Sequence, residues 1–214
     1  MPIICPTILA ATSETYIDQM ERVGQLGQRL QIDLTDGVFA KTTTIAPDQI
    51  WWPVGVKADI HLMYQDPMSA VEAAMAHGPS MIIVHAEAGG DFNKVANYCR
   101  DRRVKLGVAL LPQTPPQLIV KSLSKIDHVL IFSGDLGSFG GHADLGLLSK
   151  VEFLKSQKSD LEIGWDGGVN MHNVSQLSEG GVDVLNVGGY LQNAPDPKKA
   201  YYELALIAVE TGST

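Results

Sequence analysis

Glu162-Ile163-Gly164-Trp165-Asp166-Gly167-Gly168-Val169-Asn170 reads as a short strand that ends in a carboxylate, turns through two glycines and reaches an Asn placed to cap the next helix. Such a stretch brings together a charge, a patch of free backbone N–H groups and a helix N-terminus. Three other segments share the design: Leu30-Gln31-Ile32-Asp33, Val56-Lys57-Ala58-Asp59-Ile60-His61 and Met81-Ile82-Ile83-Val84-His85. Apolar runs that repeatedly end in polar groups point to one shared site at one face of a parallel sheet.

Working outward, the pattern predicts strands over Ile3 to Leu9, Leu30 to Leu34, Val56 to Leu62, Ser80 to His85, Lys105 to Leu110, His128 to Phe132, Leu161 to Asp166 and Val182 to Val187. Helices are expected over Ser13 to Leu26, Pro67 to His77, Asp91 to Arg102, Pro116 to Leu123, Leu145 to Gln157, Asn170 to Glu179 and Asp196 to Val209, with a short one over Ile45 to Trp52. Asp66 is the natural cap of the second of these, with Pro67 at its first helical position. Eight strands, each followed by a helix or helix-like segment, form the pattern of a closed (β/α)8 TIM barrel, expected as a single domain over residues 1–214. The rival, an open doubly wound sheet, is weakened by even strand spacing and by the lack of Gly-x-Gly-x-x-Gly after the first strand.

Composition narrows the function. A hydrophobic content of 45% and a charged content of 19% support a well-filled core. A net charge of −8 argues against a nucleic-acid partner. Cys5 and Cys99 have neither disulfide nor metal spacing and read as small buried hydrophobes. Met1-Pro2-Ile3-Ile4 has no charged region before a strand, so no signal peptide is expected, and no apolar run approaches bilayer length. The expectation is a cytoplasmic protein with no membrane partner.

In a (β/α)8 barrel the active face lies at the C-terminal ends of the strands. That rule selects Thr7, Gln31, Asp33, Asp36, His61, Met63, His85, Ser133, Asp166 and Gly188. Asp33, His61 and Asp166 can converge over the axis. Two carboxylates across a substrate serve as paired base and acid, or with His61 they hold a divalent metal; the plainer alternative is that they cap loops and helices. His85 with Glu87 two residues on belongs either to the site or to a loop tie. His77, His128 and His172 read as structural or solvated, and His142 as a possible ligand contact. Glycine pairs after strands six, seven and eight (Gly140-Gly141, Gly167-Gly168, Gly188-Gly189) suit a phosphate held by backbone N–H groups.

At this point the chain resembles the ribulose-phosphate 3-epimerase family. The matching stretches are Pro6-Thr7-Ile8-Leu9, Ile32-Asp33-Leu34-Thr35-Asp36-Gly37, Asp59-Ile60-His61-Leu62-Met63, Val84-His85-Ala86-Glu87-Ala88, Gly107-Val108-Ala109-Leu110 with Pro112 and Thr114-Pro115, Phe139-Gly140-Gly141, and Trp165 to Asn170. The resemblance implies epimerisation of ribulose 5-phosphate to xylulose 5-phosphate at C3 through a cis-enediolate. It implies Asp33 and Asp166 as base and acid, and a divalent metal (Zn, Mn, Mg or Fe) on Asp33, His61, Asp166 and the position of Gln31. It further implies substrate contacts from Thr7, His61 and Met63, a phosphate seat at Gly140, Gly141, Gly167, Gly168, Gly188 and Gly189, and a homo-oligomer.

The chain departs from the family in places. Gln31 stands where the family has a ligand His, and Thr35 where it has Met. The glycine loop Ser133-Gly134-Asp135-Leu136-Gly137-Ser138-Phe139-Gly140-Gly141-His142 is one residue longer than the family's, and Gly189 stands where the family often has Ser. A carboxamide is a weaker donor for zinc than imidazole. The second reading is therefore a non-catalytic or repurposed sugar-phosphate-binding barrel with a weakened metal site. A related decarboxylase ranks below both, because Asp33-Leu34-Thr35-Asp36 lacks the lysine of Asp-x-Lys-x-x-Asp. Trp51 and Trp52 fit either an oligomer contact or the core.

Overall fold

In the computed structural model, which describes residues 1–211, eight parallel strands close into a barrel in sequence order, and the eighth pairs back onto the first. The strands are β1 (Ile3–Ile8), β2 (Arg29–Thr35), β3 (Lys57–Met63), β4 (Met81–His85), β5 (Lys105–Leu110), β6 (His128–Phe132), β7 (Glu162–Asp166) and β8 (Val184–Val187). Each expected strand is present, with ends shifted by two residues at most.

Alternation along the strands sorts the side chains into two layers. Leu30, Ile32 and Leu34 of β2, with Ala58, Ile60 and Leu62 of β3, belong to the large core between barrel and helices. The other face of β4, β5 and β6 fills the barrel interior with Met81, Ile83, Ala109 and Leu130. The register of β2 on β3 sets Asp33 opposite His61 and Gln31 opposite Asp59, and β7 on β8 sets Asp166 opposite Asn186. Inward positions therefore stack in tiers, and the highest tier lies at the C-terminal ends.

The surrounding helices are α1 (Ser13–Val23), α2 (Met68–Met75), α3 (Phe92–Asp101), α4 (Leu148–Gln157), α5 (Val174–Glu179), α6 (Gly189–Gln192) and α7 (Pro197–Thr211). Thr12 caps α1 by accepting the Thr15 N–H, and Asp91 caps α3 by accepting those of Asn93 and Lys94. Asp66 accepts the Met68 N–H at 3.3 Å, and Pro67 sits one position outside α2. The connection after β5 is a 3-10 helix (Pro116–Lys125), and another 3-10 turn (Leu145–Leu147) precedes α4.

Two expectations are corrected. Ile45 to Trp52 is not a helix. Its one turn, closed by the Gln49 N–H on Ala46 O, gives way to irregular chain before Pro53, and Ile45 and Ile50 anchor the span in the core. Asn170 does not cap α5, which starts four residues later. Instead Asn170 and Asn173 both donate from their carboxamides to Gly168 O and hold the turn after β7. The short α6 directly after β8 is an element that periodicity could not announce in so few residues. Cys5 and Cys99 are buried and free, as expected. Trp51 is 43% exposed with its ring edge-on to Tyr16, whereas Trp52 packs against the core. No helix among the described residues is long and apolar enough to cross a membrane.

Candidate active site

The upper tier of the barrel gathers Asp33 from β2, His61 from β3, His85 from β4 and Asp166 from β7, and Gln31 of β2 reaches up to it from the tier below. His61 Nδ1 lies 2.9 Å from Asp33 Oδ1 and 3.9 Å from Asp166 Oδ2. Asp33, His61 and Asp166 each offer a ligand atom, and these atoms lie within 4.8 Å of one another. The Gln31 side chain is wedged between the carboxylates, its amide nitrogen 2.8 Å from Asp33 Oδ1 and 2.6 Å from Asp166 Oδ2. A carboxamide turned about its last torsion presents oxygen at the same place. The donor set is then two carboxylates, one imidazole and one amide oxygen, which suits a divalent cation of the harder kind.

Electrostatics follow from crowding. Burial, reinforced by the charge of Asp33, pushes the Asp166 carboxyl up to about 7, against the opposing influence of His61 and Gln31. A like charge this close makes ionising Asp166 costly unless a cation lies beside it. Burial also pushes the His85 imidazole down to about 4, although Glu87 acts in the other direction.

Asp33 and Asp166 form the floor of a cleft lined by Thr7, Met63, Phe132, Asn186 and the glycine turns, with His61 buried behind them. The Thr7 hydroxyl, beside this cleft, is buried with no hydrogen-bond partner among the described residues. The three glycine turns meet at one wall. The Gly168 N–H donates to Gly140 O at 3.1 Å, and Gly189 lies against the backbone of Gly140. Gly141 faces an outer continuation of the cleft, beside Asn170 and Tyr190. Phe139 covers Gly188, leaving no room for a side chain there.

Other candidates have different work. Asp36 ties its loop by accepting N–H groups from Val38, Phe39 and Gln65; these outweigh burial and hold its carboxyl below the usual range. The Ser133 hydroxyl donates to His142 O and accepts the Asp144 N–H, closing the glycine loop on itself. Asp59 shares the inward face of His61 but lies a tier lower, paired with Arg29. His128 is buried on Glu162 at the bottom of the barrel, a structural place.

Sequence reasoning passed over Asn186, Phe132 and Phe39. Asn186 carried a signal, a polar residue inside the apolar run Val184-Leu185-Asn186-Val187. Phe132 is an apolar residue closing an apolar strand and so carried no signal, and Phe39 comes from an aperiodic loop, yet its ring packs on His85 at 4.7 Å.

Fold and site together define a (β/α)8 barrel enzyme with a carboxylate–imidazole centre at the C-terminal ends of its strands. The chain belongs to the ribulose-phosphate 3-epimerase family, whose sequence model (Ribulose-phosphate 3 epimerase family) matches residues 3–192. It is 30% identical over 211 residues to a ribulose-phosphate 3-epimerase of Bacillus subtilis (strain 168), covering 94% of this chain and 97% of that one. It is also 30% identical to the protein of that name from Mycobacterium leprae, covering 93% and 92%. Among solved structures, 3-hexulose-6-phosphate synthase from Salmonella typhimurium superimposes with a TM-score of 0.70 at 12% identity, over 98% and 99% of the two chains. KGPDC from Streptococcus mutans gives 0.69 at 12% identity, over 99% of each. At such identities these two share the fold alone.

Proposed function

We propose that this protein epimerises a small ketose phosphate at the carbon beside its ketone, with ribulose 5-phosphate and xylulose 5-phosphate as the expected pair. The observation that carries the reading is the convergence of Asp33 and Asp166, on the floor of one cleft, with the buried His61. The names of the relatives supply the substrate class.

In this reading one aspartate takes the C3 proton and the other returns a proton to the opposite face of the resulting enediolate. Gln31 holds the two carboxylates in place. Thr7 and Asn186 meet the sugar's oxygens, Met63 and Phe132 give the carbon chain an apolar wall, and the glycine turns hold the phosphate. Asp33, His61, Asp166 and Gln31 would hold a divalent metal (Zn, Mn, Mg or Fe). Bound there, it would stabilise the negative charge that grows on the oxygens beside C3. A homo-oligomer in the cytoplasm accompanies the reading.

The test is solvent deuterium incorporation at C3 of ribulose 5-phosphate, with purified protein and each metal added in turn. Incorporation is expected with the unaltered protein, and Asp33→Asn and Asp166→Asn should each lower kcat by about 10²–10⁴-fold. No exchange with any metal overturns the proposal. Tight binding of the sugar phosphate without exchange would instead favour the binding-only barrel, a reading motivated by the Gln31 amide already spanning both carboxylates.

A further inference from the structure

Behind His61, away from the aspartates, lies a chain of buried polar groups that the proposed chemistry does not use. His85 Nε2 is 2.8 Å from His61 Nε2. His85 Nδ1 faces Glu87 Oε2 at 3.4 Å, beyond close hydrogen-bond geometry, and neither atom has a hydrogen-bond partner among the described residues, so each is the other's nearest polar complement. Glu87 Oε1 accepts the Leu111 N–H at 2.9 Å, and the Thr114 side chain also bonds this carboxylate. The loop carrying Leu111 and Thr114 is pinned by Lys150, whose ammonium donates to the carbonyls of Leu111, Pro112 and Thr114, each at 2.8 Å. A buried cation thus braces the loop that braces Glu87.

Counting protons along this chain fixes the direction of every bond. An ionised carboxylate only accepts, so the proton between His85 and Glu87 sits on His85 Nδ1. His85 Nε2 is then a bare acceptor, and the proton in the 2.8 Å contact belongs to His61 Nε2. That leaves His61 Nδ1 as a lone pair directed at Asp33 Oδ1 and Asp166 Oδ2. A lone pair facing carboxylate oxygens is unfavourable until a cation lies between them.

We propose that Glu87 and His85 are positioning residues which, through one charge contact and one hydrogen bond in succession, hold His61 as its Nε2–H tautomer and present Nδ1 as a ligand to a cation shared with Asp33 and Asp166. The proposal rests on the metal-assisted reading above and deepens it. Partners of this kind orient a ligating imidazole and raise its basicity, and their loss typically weakens metal binding about 10–100-fold.

The test uses the full chain stripped of metal and titrated with Mn²⁺ alone, with free Mn²⁺ read by electron paramagnetic resonance. His85→Phe, which keeps a ring but cannot accept, and Glu87→Met should each weaken binding about 10–100-fold. His85→Gln, whose amide oxygen can accept from His61 Nε2–H, should restore most of it. Imidazole ¹⁵N spectra, recorded where the rings are neutral, should show His61 of the unaltered protein as Nε2–H and should shift towards Nδ1–H in Glu87→Met. Mn²⁺ binding unchanged in His85→Phe and Glu87→Met, or an Nδ1–H His61 in the unaltered protein, overturns the proposal. If the unaltered protein binds no Mn²⁺, the cation half falls together with the metal-assisted reading, and the ring spectra decide the tautomer half independently.

Discussion

Gln31 is the residue on which the proposed chemistry turns. It is almost fully buried, and its carboxamide joins Asp33 to Asp166 in a centre where a second imidazole would bring a softer donor. The expected consequence is a preference for Mn²⁺ or Mg²⁺ over Zn²⁺. Gln31→His should move the preference towards Zn²⁺ by about tenfold or more, on the scale at which single ligand and near-ligand changes act; competitive titration of metal-free protein with the two ions measures it. At this scale the sequence was most legible where a polar residue closes an apolar strand, as with Asp33, His61 and Asp166. It was least legible where function depends on which atom of a group faces inward. Nothing in His85-Ala86-Glu87 says that one imidazole nitrogen will face another, because that contact comes from two strands meeting.

Between β2 and β3 the chain does without a helix and uses threonines instead. The Thr35 hydroxyl donates to Thr42 O at 2.6 Å, the Thr35 N–H is accepted by the Thr44 hydroxyl, and Thr42 donates onward to Gly137 O at 2.8 Å. The loops after β2 and β6 are thereby fastened to each other across the mouth. The turn after β7 is fixed more tightly still. Gly167 has φ of 115°, and a Cβ there would overlap the Gly134 backbone nitrogen. Gly167→Ala should cost about 1–3 kcal/mol from the backbone alone, since this region suits only glycine, and the clash adds to it. The readouts are the denaturant midpoint and the KM for the phosphorylated substrate, which should rise as the wall of the cleft shifts. Strands and their order were readable because a parallel sheet buried on both sides leaves continuous apolar runs. The loop clasp was not, since its bonds join residues far apart in the chain, Thr42 to Gly137 among them, and follow no period.

For the molecule as a whole, the barrel is closed at its lower end by charge. Arg29 reaches Asp59 and clasps Glu162 with two bonds of 3.0 and 2.8 Å, while His128 adds a third at 2.8 Å. Burial alone would raise the Glu162 carboxyl, but His128 and Arg29 hold it far below its ordinary 4.5. The folded state therefore keeps this proton off where the unfolded chain would take it up. The stabilisation is fully present above about pH 4.5 and is lost as pH falls below that value. Glu162→Gln should lower stability by about 1–3 kcal/mol at pH 7, less than for a fully buried pair because the side chain is partly exposed. Denaturant unfolding at pH 7 and at pH 3 should show the gap between variant and unaltered protein narrowing with acid.

Above that ionic layer, Met81, Ile83, Ala109 and Leu130 fill the bore beneath the aspartates. The aspartates thus have a solid floor among the described residues, and a ligand of the cleft cannot pass on through the barrel. In the proposed reaction, substrate and product then use the same side of the barrel. A product slow to depart therefore blocks the next turnover, and a molecule that merely fits the mouth of the cleft inhibits without touching a catalytic group.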